Sequence, residues 1–233
     1  MKNKKSTTLY CFSPPVMLAT MLIELALALF AFVKFKKSPI KTLAVITLVL
    51  LALFQGAEFM VCQAYPGVNA EIISRIGFIL ITMLPPLGVH IANTIAGRKR
   101  NWSTITSYVF GAGFVGYFLL APNTFTDSIC SGNYVIFHLN MIANMTYSVY
   151  YYTLLLGILS LTVYLAVIQK SKSKRAALIW LNVGALSFLV PTSLAYFYLQ
   201  GAGSAIPSVM CGFAVIYAII LSVRVVPLAT KQK

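Results

Sequence analysis

The sequence predicts an all-α membrane protein, a single domain over 1–233 built as a bundle of seven transmembrane helices. Of the 233 residues, 59% are hydrophobic and 9% are charged, whereas soluble domains carry about 25% charged residues. Seven stretches reach or approach the roughly 20 apolar residues that a helix needs to cross the hydrocarbon core. Their continuous apolar runs exclude β-barrel strands, which require an alternating pattern. The predicted helices cover residues 11–33, 42–62, 73–96, 104–121, 147–169, 176–198 and 204–226.

The first predicted helix follows three lysines and contains one acidic residue, Glu24. Its length and the lysines that follow it favour a retained helix over a cleaved signal peptide. Glu24 lies near the middle of the span, and ionisable residues at that depth are candidates for function. We expect Glu24 either to be protonated or to pair with His90 of helix 3.

The second and third predicted helices place Gln55, Glu58 and Arg75 close to the same membrane surface. Two interpretations remain open. Glu58 and Arg75 form an ion pair, or Gln55, Glu58 and Arg75 line a polar ligand pocket beneath the long loop. Glu24 is the fourth residue of this candidate ligand site.

Further along helix 3, His90 and Asn93 lie in the half that is predicted to face the cytoplasm, as does Asn182 of helix 6. A hydrogen bond between His90 and Asn182 would stabilise the bundle by about 0.6 kcal/mol. Pro85 and Pro86 in the middle of helix 3 predict a bend, because proline removes a backbone hydrogen bond. This bend is either a hinge or a packing kink.

The fourth helix is the shortest and contains Gly111, Gly113 and Gly116. Because small residues allow helices to approach closely, we expect it to pack in the interior.

The segment 122–146 is the longest predicted loop, and it faces outward. Its alternating residues 133–138 indicate a short β-hairpin or lid over the bundle. Cys62 ends helix 2 and Cys130 lies in the loop, so a disulfide would tie the two together in an oxidising exterior. Two free thiols are the alternative, and Cys11 and Cys211 either form a second pair or remain membrane-packed thiols. The absence of Cys-x-x-Cys and the presence of only two histidines predict no metal site and no cofactor.

The last three predicted helices carry aromatic residues and further prolines. Residues 147, 150, 151 and 152 are tyrosines at the outward end of helix 5, which is typical of an interfacial aromatic belt. A ligand-binding aromatic box is the alternative. Pro191 predicts a bend or hinge in helix 6, and helix 7 begins near Pro207.

The basic residues predict the orientation of the bundle. The chain has 18 Lys and Arg against four Asp and Glu, and fourteen of the 18 fall after helices 1, 3 and 5 or at the C-terminal end. The positive-inside rule then puts the N-terminus outside the cell and the C-terminus in the cytoplasm. We expect the protein to lie in the plasma membrane. The excess of basic residues therefore reflects the topology of the protein. We expect its partner to be the lipid bilayer, and we expect no binding to nucleic acid.

Several seven-helix and enzymatic classes lack their signatures here. Helix 7 has no lysine for a retinal Schiff base, and the two histidines are too few for a membrane zinc hydrolase. No Gly-x-Ser-x-Gly loop or P-loop is present. The Asp/Glu-Arg-Tyr signature of G-protein-coupled receptors is replaced after helix 3 by residues 96–100, Ala-Gly-Arg-Lys-Arg. We therefore expect no enzymatic activity.

Residues 75–97, with Leu-Pro-Pro-Leu at 84–87, resemble the seven-helix sensor region that precedes bacterial histidine kinases. Glu58 late in helix 2 and Val-Val-Pro at 225–227 are similar to that family as well. In the family a cytoplasmic signalling domain follows helix 7, whereas only a short tail follows it here.

The resemblance implies a receptor-like sensor of a small extracellular or membrane-dissolved ligand. Because no signalling domain follows helix 7, such a sensor would report through a cytoplasmic or membrane partner protein. Two alternatives remain open. The first is a small transporter made of two three-helix repeats joined by helix 4, and the second is a structural or assembly subunit without a ligand.

Overall fold

The computed structural model describes residues 13–63, 69–98, 101–122, 124–130, 135–198 and 206–231. Within these ranges, seven helical segments are long and apolar enough to cross a membrane. They confirm the predicted all-α bundle of a multi-pass membrane protein. The elements are α1 (Pro14–Lys34), α2 (Pro39–Gln63), α3 (Ala70–Thr82), α4 (Leu84–Ala96), α5 (Trp102–Leu120), β1 (Phe125–Cys130), β2 (Val135–Leu139), α6 (Met141–Ile168), α7 (Lys172–Tyr198), α8 (Ile206–Ile220) and α9 (Val226–Thr230).

Two of the seven spans are interrupted. The third span consists of α3 and α4, which are separated at Met83. The seventh consists of α8, a π-helical turn at Leu221–Val225, and α9. Both interruptions lie next to prolines, which cannot continue the backbone hydrogen bonds of a helix.

Asparagine side chains fix where three helices begin. The side-chain oxygens of Asn69, Asn101 and Asn140 accept backbone N–H groups in the first turns of α3, α5 and α6, at 2.8, 3.3 and 2.8 Å. Such caps satisfy donors that have no partner within the helix. Because Asn140 caps α6, that helix begins at Met141, six residues before the predicted start at 147. The predicted loop 122–146 is therefore shorter at its C-terminal end.

The loops alternate between two ends of the bundle. We call the end with residues 35–38, Arg98, residues 169–171 and Lys231 the basic end. The opposite end carries β1 and β2, and we call it the hairpin end. At the basic end, the Ser173 hydroxyl donates to the Leu228 carbonyl at 2.5 Å, so the start of α7 packs against α9.

The core has different chemistry in its two halves. Towards the basic end it is aliphatic, with Leu48, Ile91, Ile95 and Leu178 fully buried. Towards the hairpin end it is aromatic. There, the Phe78 ring lies 5.2–5.5 Å from the rings of four neighbours, which are Phe118, Phe125, Phe137 and Tyr147.

The predicted β-hairpin is present. β1 and β2 pair antiparallel, with Cys130 opposite Val135 and Ser128 opposite Phe137. Phe125, Val135 and Phe137 are buried in the aromatic half of the core. The hairpin therefore inserts side chains into the end of the bundle and closes it.

The prediction that the fourth helix packs in the interior is wrong. α5 is largely exposed, and positions Gly113 and Gly116 face open space. Only Gly111 makes a close contact, because a Cβ there would lie 3.1 Å from both the Pro86 ring and the Tyr150 hydroxyl. A single glycine thus allows α5 to approach the interruption in the third span, and the other two face outward.

Candidate functional site

The interruption in the third span is held by two tyrosines of α6. Pro86 has no N–H to donate to the carbonyl of Thr82, four residues earlier. The Tyr150 hydroxyl donates to this carbonyl instead, at 2.8 Å. The Tyr147 hydroxyl lies 3.2 Å from the Thr82 hydroxyl. The predicted bend at Pro85 and Pro86 is confirmed as a local break, and its use as a hinge stays a prediction.

Two adjoining cavities of about 50 Å³ each lie beside this break. Both are lined by Tyr151 of α6 and by Met210 and Cys211 of α8. The hairpin-side cavity reaches β2 and the start of α6, and the deep cavity reaches α4 and α7. Both lie between the third, fifth and seventh spans, and the deep cavity is also bordered by the second and sixth spans.

The two cavities differ in polarity. The hairpin-side cavity is bordered by Asn144, Ser148 and the tyrosines at 147, 151 and 152. The deep cavity is bordered mainly by apolar groups, among them Leu155, Pro85 and Phe188. This arrangement suits a small molecule with a polar group near the hairpin and an apolar part directed towards the middle of the bundle.

The hairpin borders the hairpin-side cavity and is attached to α2 and α3. Phe137 and Leu139 of β2 line the cavity. The disulfide between Cys62 and Cys130 joins β1 to α2, as the sequence predicts. The Ser74 hydroxyl donates to Ser128 at 2.8 Å, which attaches β1 to α3.

Arg75 does not join the candidate polar pocket, and the alternative Glu58–Arg75 ion pair is also wrong. The Arg75 guanidinium lies 2.9 Å from the Glu71 carboxylate, one turn earlier on α3. It also donates to the carbonyls of Phe118 and Ala121 at 2.5 and 2.9 Å. Arg75 therefore caps the C-terminal end of α5, where cations interact favourably with the helix dipole.

Glu24, Gln55 and Glu58 do come together between α1, α2 and α8, where Gln55 and Glu58 border a crevice and Glu24 lies close to Glu58. All three side chains are buried, with 0–2% of their surface exposed. Gln55 and Glu58 line this crevice with Thr20 and Ser208, and the space is too narrow for a water molecule. These acids are thus separate from the two cavities, which lie on another side of α8.

The polar residues of the third and sixth spans form hydrogen bonds to helices other than the predicted ones. His90 Nδ1 lies 3.2 Å from the Tyr108 hydroxyl of α5, so neither the predicted pairing with Glu24 nor that with Asn182 forms. Asn182 donates to the Leu159 carbonyl at 3.0 Å and to Thr162 at 2.7 Å, both on α6.

Asn93 fixes the connection between α4 and α5. Its amide donates to Ser103 and Thr104 at 3.1 and 3.0 Å, and its oxygen accepts from Asn101 at 2.8 Å. Gly97 ends α4 with φ of +78°, a conformation that favours glycine. Asn93 is thus a structural residue at the basic end.

Two further predictions concern the hinge at Pro191 and the pairing of Cys211. Pro191 lies inside α7, where the helix continues through it, and its role as a hinge stays a prediction. Cys211 is a buried free thiol. Its possible partner Cys11 lies outside the described residues.

The sequence favours an interfacial belt for the tyrosines of α6 and leaves a ligand-binding aromatic box as the alternative. Tyr147, Tyr150 and Tyr151 are 6–8% exposed, so they face the interior and do not form the predicted belt, and Tyr147 and Tyr151 line the hairpin-side cavity. Their spacing of three and four residues places them on one face of α6, and this spacing was the available signal. Tyr196 of α7 is 53% exposed, in keeping with an interfacial position.

Among the described residues, no group of three or more His, Cys, Asp or Glu side chains is placed to hold a metal ion. Comparison of the chain with protein-family models and with curated proteins finds no match. The resemblance to the sensor region of histidine kinases therefore stays a prediction that rests on the residues themselves.

Proposed function

We propose that this chain is a receptor-like membrane sensor without enzymatic activity, which binds a small, largely apolar ligand and reports to a partner protein. The observation that carries the proposal is the pair of adjoining cavities beside the break in the third span. Their walls offer hydroxyl and amide groups at one end and apolar groups at the other. Apolar spaces with a few polar groups are where ligands bind, and spaces of this size admit only a small molecule.

The proposed orientation has the hairpin end outside the cell and the basic end in the cytoplasm of a plasma-membrane protein. The distribution of Lys and Arg supports it through the positive-inside rule. The disulfide between Cys62 and Cys130 supports it as well, because disulfides persist in oxidising compartments. In this orientation the ligand enters from outside or from the outer leaflet.

The break in the third span connects the ligand site to the basic end, so that ligand binding can be signalled there. Pro85 and Gly88 of α4 line the deep cavity, and the same helix ends at the basic end with Gly97 and Arg98. A ligand that fits one position of α4 better than another shifts the balance between the two positions. The partner protein then binds differently according to the position of the loop after α4.

Photoaffinity labelling tests the site. The probe is a six-carbon alcohol that carries a diazirine, applied to the purified protein in detergent, with labelled peptides mapped by mass spectrometry. We expect labelling at Tyr151, Met210 or Cys211 that excess 1-hexanol suppresses. Labelling only at lipid-facing residues, unaffected by 1-hexanol, would contradict the proposal.

Two alanine variants sharpen the test. Ala185 is 5% exposed and lines the deep cavity, so Ala185→Val places two methyl groups in the cavity and reduces the space available to the probe. Ala112 of α5 is exposed, and Ala112→Val is the matched control. We expect at least a threefold loss of cavity labelling in Ala185→Val and no change in Ala112→Val. Equal labelling in both variants would refute the assignment of the cavity.

The second candidate function is a small transporter. The feature that favours it is the interrupted third span, since broken helices often form the substrate sites of transporters. Ala185→Cys in a Cys211→Ala background distinguishes the two functions, using a membrane-impermeant maleimide applied to each side of oriented vesicles. A transporter would expose residue 185 from both sides, whereas a sensor of this design exposes it from the hairpin end at most.

A further inference from the structure

A polar cluster that the proposed ligand site does not use lies in and beside the crevice between α1, α2 and α8. Its members are Glu24 of α1, Gln55 and Glu58 of α2, and Ser208 of α8. Their exposed fractions are 0, 2, 1 and 2%, so all are buried. Glu24 and Glu58 are close enough to interact electrostatically. Thr20 lies one helical turn from Glu24 and borders the same crevice.

Most polar atoms of this cluster lack partners. Both carboxylate oxygens of Glu24, one oxygen of Glu58 and the amide nitrogen of Gln55 have no hydrogen-bond partner in the described part of the chain. Ser208 borders the crevice together with Glu58 and accepts the Val135 N–H at 3.3 Å. Buried polar atoms without partners are rare in proteins, and a group of them in one place needs an explanation, of which a bound ion is one.

The cluster also lacks a counter-charge for any carboxyl group that ionises. The ion pair in the described residues joins Arg75 to Glu71 at the hairpin end, and among these residues no basic side chain borders the crevice. The other groups that border it, Val16, Met17 and Gly212, are uncharged. Two acids in apolar surroundings without a counter-charge are unfavourable, so a cation would stabilise them.

The chemistry of the available ligands narrows the choice of cation. Carboxylate, amide and hydroxyl oxygens are hard ligands, which suit alkali and alkaline-earth ions more than transition metals. Mg²⁺ usually keeps several waters, and the crevice is too narrow for a water molecule. A small ion without bound water fits best, with a proton on one of the two carboxyl groups completing the charge balance.

We propose that Glu24, Gln55, Glu58 and Ser208 form an intramembrane binding site for Na⁺. The ion lies between α1, α2 and α8, where it joins the carboxyl groups of the first two spans to the seventh. Gln55 turns its amide oxygen to the ion and its amide nitrogen to a carboxyl oxygen. The site does not depend on the ligand cavity, which has other residues and a separate test.

Thermal unfolding of the purified protein tests this site, with the fluorescence of Trp102 and Trp180 as the signal. The probes are NaCl, KCl and choline chloride at constant ionic strength and pH 8. We expect Na⁺ to raise the melting temperature in a saturable manner, K⁺ to act at least tenfold more weakly, and choline to have no effect. A ligand that binds only the folded state stabilises it in this way.

Three glutamate variants identify the residues involved. Glu24→Gln and Glu58→Gln are expected to weaken the response to Na⁺ at least tenfold. Glu71→Gln is the matched control, because Glu71 is 47% exposed at the hairpin end, and it keeps the wild-type response. If a glutamine variant does not fold, Ser208→Ala and direct binding of radioactive Na⁺ to the wild type replace it.

Three results would overturn the proposal. One is a melting temperature that responds equally to Na⁺ and choline while radioactive Na⁺ does not bind. Another is a response to Na⁺ that is the same in Glu24→Gln, Glu58→Gln and Glu71→Gln. Stabilisation by low pH alone, without any effect of Na⁺, would assign the two carboxyl groups to a shared proton and exclude the ion.

Discussion

Replacement of Tyr150 by phenylalanine tests the tyrosine contact at the break in the third span. The variant keeps the ring, which packs 4.6 Å from the ring of Phe114, and removes only the hydroxyl that donates to the Thr82 carbonyl at 2.8 Å. Tyr150 is 8% exposed, so water has little access to the carbonyl left behind. The change therefore isolates a single hydrogen bond.

The expected loss follows from the position of that carbonyl. Hydrogen bonds between membrane helices contribute about 0.6 kcal/mol on average and about 1.7 kcal/mol at most. The Thr82 carbonyl has no helical donor, because the residue four positions later is Pro86. Leaving a buried acceptor without a partner costs about 1–3 kcal/mol. We therefore expect Tyr150→Phe to lower the free energy of unfolding by about 1–2 kcal/mol.

Reversible unfolding in mixed micelles with increasing sodium dodecyl sulfate, followed by tryptophan fluorescence, measures this loss. Tyr164→Phe is the control, because Tyr164 is 54% exposed on the same helix. Pro86→Ala supplies a backbone N–H for the Thr82 carbonyl, so Tyr150→Phe is expected to cost about 1 kcal/mol less in that background. A cost of Tyr150→Phe that matches Tyr164→Phe, or that is the same with and without Pro86, would refute the reasoning.

Three further predictions concern packing, the disulfide and the cap of α5. Gly184→Ala places a Cβ 2.9 Å from an aromatic ring of α8, whereas Gly157→Ala meets nothing within 4 Å. In the same unfolding assay we expect Gly184→Ala to be about 1–3 kcal/mol less stable than Gly157→Ala, and equal stability would contradict the close packing of α7 on α8. Cys130→Ser removes a cross-link between residues 68 apart, which lowers stability by at most about 4 kcal/mol. Faster proteolysis of the hairpin and loss of sensitivity to reducing agent are the readouts, and unchanged proteolysis would contradict its attachment by the disulfide. Arg75→Gln is expected to cost about 1–2 kcal/mol because the last carbonyls of α5 lose a charged donor, whereas Glu71→Gln, at an exposed ion pair, changes stability by less than about 0.5 kcal/mol. Equal effects of the two variants would show that the ion pair, and not the cap, is what Arg75 provides.

The spans and the hairpin could be predicted because their signals lie within short stretches of sequence. A continuous apolar run of sufficient length has few alternatives in a membrane. Alternation at 133–138 likewise indicates a strand, and β2 occupies Val135–Leu139. Helix ends were less certain, since the start of α6 depends on the side chain of Asn140, which an apolar count does not detect.

The partners of the polar residues could not be predicted in the same way. Depth along the membrane matched Glu58 with Arg75, and His90 with Asn182, because hydropathy gives the height of a residue in its helix. It gives neither the direction in which the residue points nor the order of helices around the bundle. Arg75 faces the end of α5, and Asn182 faces α6. Only the packing of whole helices decides these directions.

α8 takes part in both proposed sites. Its residues Met210 and Cys211 border the two cavities, while Ser208 and Gly212 border the crevice with the two acids. Residues 208–212 make little more than one helical turn, so a shift of α8 that changes one site also changes the other. If both proposals hold, Na⁺ must alter the affinity for the apolar ligand by the same factor by which the ligand alters the affinity for Na⁺. Measuring 1-hexanol protection against photolabelling at several Na⁺ concentrations would give that factor. A factor of one would mean that α8 holds the two sites rigidly, and that the break in the third span alone carries any signal to the basic end.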